Sequence, residues 1–248
     1  EIIFSETKSL ILRTKRKNTY SYYAWLIPNI RKFTNHLYLK KIGLSLDKLS
    51  DKKFVFFPMH LEPEIALLNV SPEFNNSMEC ITWISKSLPF NFFLLLKEHP
   101  ASLSVRDQNY YRMLNKIPNV FFSDPSISSW ELIKKSTFAS TITGTVGFES
   151  IFFNKPVISF GKNQIINNLP SVFYSSNYEQ TNLNIDKILK IIDDKKLLQF
   201  SKTILYNSLI ESSFDLPELK FIGQNQDVSD NTINIAFNNL INEHSDAF

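Results

Sequence analysis

From residue 54 onward, short apolar runs alternate with apolar residues at helical spacing, and this alternation restricts the fold more tightly than any other feature of the chain. "FVFFP" (54–58) is an unbroken apolar run, as expected of a strand buried on both faces of a sheet. Met78, Ile81, Ile84 and Leu88 then follow a helical period. "FFLLLK" (92–97) reads as a second strand, and a polar helix containing Tyr111 and Leu114 leads to a third, "NVFF" (119–122). "SSWELIKKS" places Glu131 three residues after Ser128, a capping-box spacing that starts a helix. "TFASTI" (137–142) is a fourth strand, "VGFESIFF" an apolar helix that Pro156 ends, and "VISFG" (157–161) a fifth strand. Helices near 184–193 and 196–211 follow, and Ile233, Ala236, Phe237, Leu240 and Ile241 put one apolar stripe on a last helix. Strands and helices in this order predict an α/β fold, a parallel sheet with helices on both faces. Such sheets bind ligands at the carboxyl ends of their strands.

The first 53 residues have a different texture. Residues 7–45 read as helical segments broken near Pro28, and the polar "DKLSDKK" marks a boundary. The division is a basic helical linker over 1–50 and a second domain over 51–248. The formal charge of +3 conceals the contrast: residues 1–53 carry 12 Lys/Arg and 4 Asp/Glu, and the remainder carries 15 and 20. A basic, Tyr-rich head suits an anionic membrane surface or a sugar-phosphate lipid. It equally suits the solvated face of a helix packed on another domain. No base-reading motif accompanies the charge, so nucleic acid is not an expected partner. The single cysteine, Cys80, excludes an internal disulfide and a cysteine-based zinc site. No apolar run approaches the ~18 residues of a membrane span. The chain opens on Glu1 with no signal-peptide pattern, and it is expected to be a piece of a longer protein.

Three polar clusters fall at the predicted carboxyl ends of strands. "TITGTVGFES" (141–150) holds two of the chain's 5 glycines. Gly144 and Gly147 let an anion approach the backbone, while Thr141, Thr143 and Thr145 supply hydroxyls where a strand gives way to a helix. The other reading is an ordinary strand-to-helix turn, and the pattern is neither a Walker loop nor GxGxxG. "KEHP" (97–100) ends the second strand; the His99 imidazole can bond a phosphate oxygen or neutralise a leaving phosphate, and Pro100 stiffens the exit. "MHLEPE" (59–64) brings His60, Glu62 and Glu64 into a loop, either as an acid/base or sugar-binding group or as a solvated loop. Metal ligation by these three has no fixed helical spacing behind it. Glu149 can accept the hydroxyls of a ribose, or simply sit well in the first turn of a helix.

"FVFFPMHLEPE", "LLLKEHP" and "STITGTVGFESIFFNKPVISFG" resemble, in order and approximate spacing, the capsule polysaccharide biosynthesis family. That family looks like the GT-B glycosyltransferases and includes bacterial transferases that use CMP-Kdo. The likeness covers about residues 50–175, and the Tyr-rich segment before it resembles the family's linker between halves. The arrangement is similar, too, to bacterial sialyltransferases and non-hydrolysing UDP-GlcNAc 2-epimerases. The resemblance implies a Rossmann-like, carboxy-terminal GT-B domain whose donor site uses Lys97, His99, Pro100, Ser140, Thr141, Thr143, Gly144, Thr145 and Glu149. It also implies a CMP- or UDP-linked sugar donor with no separate cofactor or metal, and a glycan or lipid-linked glycan acceptor. The amino-terminal GT-B half, which binds acceptor, would be a missing partner, and the work would be done in the cytoplasm, at the inner face of the membrane. The turn here reads Thr-Gly-Thr where relatives often show Ser, so the donor does not carry over. A sugar-nucleotide epimerase, which needs no acceptor, and a non-catalytic binding module are the alternatives.

Overall fold

The computed structural model describes residues 22–50, 52–61 and 77–208. Six parallel strands form the sheet: β1 (Lys53–Pro58), β2 (Phe92–Lys97), β3 (Val120–Phe122), β4 (Phe138–Thr141), β5 (Val157–Ser159) and β6 (Val172–Tyr174). The helices are α1 (Tyr22–Ile42), α2 (Leu46–Leu49), α3 (Met78–Ser87), α4 (Gln108–Leu114), α5 (Ser129–Lys135), α6 (Val146–Phe152), α7 (Tyr178–Ile191) and α8 (Lys195–Ser208). Short 3₁₀ turns cover Pro100–Ser104 and Ile165–Asn168. The spatial order is β3-β2-β1-β4-β5-β6. Chain order therefore runs outward from β1 in one direction, then returns to its other side at β4. This is the doubly wound, Rossmann-like arrangement, whose crevice opens where the winding reverses, between β1 and β4.

Side-chain alternation along the strands builds two apolar layers. Val55 and Phe57 of β1 pack with Ile81 and Ile84 of α3, Tyr111 and Leu114 of α4, and Ile185 and Ile188 of α7. Phe54 and Phe56 face the other way, toward Leu132 and Ile133 of α5 and Val146 of α6. Four consecutive phenylalanine and valine residues, 54–57, are thus all buried. This is why the strand reads as an unbroken apolar run instead of an alternating one. The capping box forms as its spacing predicts: the Glu131 N–H donates to Ser128 Oγ, and Glu131 Oε2 accepts from the Ser128 N–H, both at 3.2 Å.

Three expectations are corrected. The sheet has a sixth strand, because "VFY" is too short to read as one alone and becomes one by pairing Val172 beside Val157 on the open edge of β5. Helix α7 starts at Tyr178, well before 184, because the Asn177 side chain accepts from the Gln180 N–H at 2.8 Å and caps it. The expected break near Pro28 is absent, since α1 runs from Tyr22 to Ile42 with Pro28 inside it. Proline removes one backbone hydrogen bond. Packing along the rest of the helix outweighs that loss: Leu39 is buried in the first layer, and Asn35 donates through its amide to the Leu103 and Arg106 carbonyls at 2.9 Å each. Helix α1 therefore belongs to the layer over the sheet. The basic head before Tyr22 and the apolar stripe at 233–241 lie outside the described residues.

Candidate functional site at the strand reversal

The loops leaving β1, β2 and β4 emerge on one rim, because the three strands are parallel neighbours. The turn after β4 is shaped from within. The Gly144 N–H donates to Thr141 Oγ1 at 2.9 Å, and the Gly147 N–H to the Gly144 carbonyl at 3.2 Å. Thr141 is fully buried, so its hydroxyl serves the turn. Ser140 is likewise buried, and its hydroxyl donates to the Phe56 carbonyl at 3.3 Å, tying β4 to β1. Thr143 and Thr145 are the hydroxyls that reach the surface. The backbone N–H groups of Thr143, Thr145 and Val146 make no hydrogen bond among the described residues.

His60 lies across the reversal from this turn. The Ile142 N–H donates to His60 Nε2 at 3.3 Å, so the neutral imidazole carries its proton on Nδ1. A methyl group on Gly144 would lie 3.1 Å from His60 Cε1 and 3.0 Å from Thr141 Oγ1, so the absent side chain at 144 is what lets the imidazole sit against the turn. The loop after β5 forms the neighbouring wall. Gln164 donates through its amide to the Ile142 carbonyl, and Asn167 donates to the Gly161 and Lys162 carbonyls at 2.8 and 3.0 Å. Gly161 approaches the turn closely, for a methyl group there would strike the Ile142 carbonyl oxygen.

His99 follows β2 on the same rim and is exposed. Its Nδ1 accepts from the Ala101 N–H at 3.2 Å, which leaves the proton of the neutral ring on Nε2. Pro100 occupies the first position of the 3₁₀ turn that His99 caps. Lys97 is turned inward: its ammonium donates to the Pro125 carbonyl at 3.2 Å and to the Ile127 carbonyl. Burial holds its pKa below the ordinary lysine value, partly offset by the Asp124 carboxylate. Lys97 and Ser140 thus make internal bonds that tie the rim together. Glu149 Oε1 accepts from the Thr145 hydroxyl at 3.1 Å, close to the exposed end of the turn. Glu62 and Glu64 lie outside the described residues.

Two functional-looking residues escaped the sequence reading. Glu98 and Arg106 form a buried ion pair, Oε2 to Nε at 2.8 Å, with their side chains 3% and 8% exposed. Nothing in periodicity distinguishes Arg106 from the polar helix start around it. Glu98 lies within "KEHP", where nothing local separates it from a solvated loop carboxylate. Among the described residues, no group of three His, Cys, Asp or Glu is placed to hold a metal ion.

Residues 13–166, more than half of the chain, match the family described as capsule polysaccharide biosynthesis protein. The chain belongs to that family. No curated protein matches it significantly. Among solved structures, the β-Kdo 2,7 transferase KpsC of Thermosulfurimonas dismutans is 16% identical, with 73% of this chain and 57% of that chain covered and a TM-score of 0.42. Anabaena HepE in complex with UDP-glucose is 14% identical, with 69% and 48% covered and a TM-score of 0.46. The Staphylococcus aureus MnaA–UDP structure is 19% identical, with 63% and 42% covered and a TM-score of 0.42. The match spans about half the length of each of these proteins.

Proposed function

We propose that this capsule-family chain carries the donor-binding half of a GT-B glycosyltransferase, one that moves a sugar from a CMP- or UDP-linked donor onto a surface glycan or its lipid-linked precursor. The observation that carries the reading is the His60–Ile142 contact across the strand reversal, which sets an imidazole against a turn whose Thr143, Thr145 and Val146 N–H groups have no partner among the described residues. A phosphate there would accept from the Thr143, Thr145 and Val146 N–H groups and the Thr143 hydroxyl, while the Thr145 hydroxyl stays on Glu149. These donors are already oriented before charge develops on the leaving phosphate, so they act without reorganisation. His99 offers Nε2–H from the next strand end. With seven residues, α6 contributes little dipole of its own, and the individual donors carry the interaction. Glu149 would take the ribose hydroxyls.

Transfer needs the acceptor held in line with the donor, which a second half provides across a cleft. No helix among the described residues is long and apolar enough to cross a membrane. The basic head at 1–53 would instead hold the protein against anionic headgroups at the inner face, where cytoplasmic sugar nucleotides are available.

Calorimetry of the 248-residue chain against CMP-, UDP- and GDP-sugars tests the reading. One of them should bind, and His60→Ala should weaken that binding about tenfold or more, the scale of a hydrogen bond to a charged group. No binding of any of the three would overturn it. In a radiolabelled-sugar assay the chain should bind donor and transfer nothing until an upstream half is supplied. Robust transfer by the chain alone would place the reacting groups within it, first in the loop at 60–64. Release of a free epimerised sugar nucleotide would identify an epimerase instead.

A further inference from the structure

The Glu98–Arg106 pair joins the two histidine-bearing loops. Arg106 donates through one terminal nitrogen to the His60 carbonyl at 2.7 Å, and its Nε lies 2.8 Å from Glu98 Oε2 as an ion pair. The other Glu98 oxygen, Oε1, accepts from the His99 N–H at 2.8 Å. One ion pair, with a hydrogen bond at each end, thus connects His60, two residues past β1, to His99, two residues past β2. The surroundings hold the pair in place. The guanidinium lies 4.8 Å from the centre of the Tyr110 ring, and Asn35 of α1 fixes the Arg106 backbone through its carbonyl. Lysine cannot reproduce this, since only the planar fork of arginine reaches both acceptors at once.

A buried pair of this kind contributes little net stability, because removing two charges from water offsets most of their attraction. Its geometric effect is to set the spacing of the two loops beyond the last backbone bond between their strands, from the Met59 N–H to the Lys97 carbonyl at 2.8 Å. We infer that Arg106 and Glu98 are positioning residues that hold the His60 and His99 loops at the separation a donor phosphate requires. This inference rests on the donor-site reading of the rim.

Two measurements on the full chain separate the inference from the reading beneath it. The first needs no ligand: side-chain nitrogen NMR of His60. In the parent chain, Nε2 should appear as the unprotonated acceptor and Nδ1 as the protonated nitrogen. Arg106→Gln should release the His60 carbonyl and average the two tautomers, while His36, outside the network, keeps its signal. The second is affinity for whichever of CMP, UDP or GDP the parent binds. Arg106→Gln and Glu98→Gln should each weaken it about tenfold or more. Arg106→Lys, which keeps the charge but not the fork, should recover neither the affinity nor the single tautomer. An unchanged His60 tautomer in Arg106→Gln, or full recovery of both readouts by Arg106→Lys, overturns the positioning role. Should the parent bind no nucleotide, the donor reading fails, and the tautomer measurement still decides whether the pair sets His60.

Discussion

Individual residues on the rim divide sharply between those that build it and those that face outward. Gly161 and Gly147 show the difference between a rigid and a yielding neighbour. A methyl group at 161 would meet the Ile142 carbonyl, which belongs to the backbone of the turn, whereas one at 147 would meet the terminal methyl of Ile166. Backbone cannot move without dragging the turn; a side-chain end can turn to another rotamer. Gly161→Ala should therefore lower stability by about 1–3 kcal/mol, and Gly147→Ala by clearly less, in urea titrations followed by circular dichroism. Equal losses would mean that the loop after β5 moves freely and is no wall. The same distinction separates the hydroxyls: Ser140 and Thr141 face inward, and Thr143 and Thr145 face out.

At the scale of elements, local chemistry decides where helices begin. The reciprocal Ser128–Glu131 bonds start α5, whose Leu132 and Ile133 then pack under the sheet. Ser128→Ala removes the acceptor for the Glu131 N–H and should cost about 1 kcal/mol, read as a lowered unfolding midpoint with unchanged denaturant slope. Asn177 does the same for α7, and that cap was available in the sequence as an Asn before a helical pattern. The five strands expected from apolar runs all form: β1, β2, β4 and β5 are buried on both faces, and β3, at the edge, exposes Phe121 but is apolar throughout. The sixth is a three-residue segment at an edge, where burial is partial and the apolar signal correspondingly thin. Helix α1 illustrates the converse: a proline that argues locally for a break is overridden by contacts with residues about 70 positions away, as in the Asn35 bonds to Leu103 and Arg106.

The whole molecule responds to pH through groups the fold has enclosed. Burial, and secondarily the Glu98 carboxylate beside it, raises the Tyr111 phenol above its ordinary pKa. In the unfolded chain a tyrosine loses its proton near pH ~10. The folded pKa is the higher of the two, so this contribution to stability is complete below about pH 10 and declines as pH rises beyond it. Unfolding midpoints between about pH 9 and 11 should fall more steeply for the parent than for Tyr111→Phe. Parallel curves would mean that water reaches the phenol in the folded state.

The sheet, its parallel sense, both helix layers and the strand-to-helix turn were legible in the chain itself, because burial imposes a repeating pattern on every segment that undergoes it. Family membership was legible for a related reason: the three motifs are continuous stretches of sequence, the longest running from the end of β4 through α6 and β5. The partnerships within the rim were not legible. His60 and Ile142 are 82 residues apart, and Arg106 and His60 are 46 apart. No local pattern encodes which strand lies beside which. The order β3-β2-β1-β4-β5-β6 brings β1 against β4, and only then does His60 become the residue against the glycine turn, with Glu98 and Arg106 holding its loop. Composition and periodicity report whether a side chain is buried; its partners across strands depend on long-range packing, which only the tertiary structure decides.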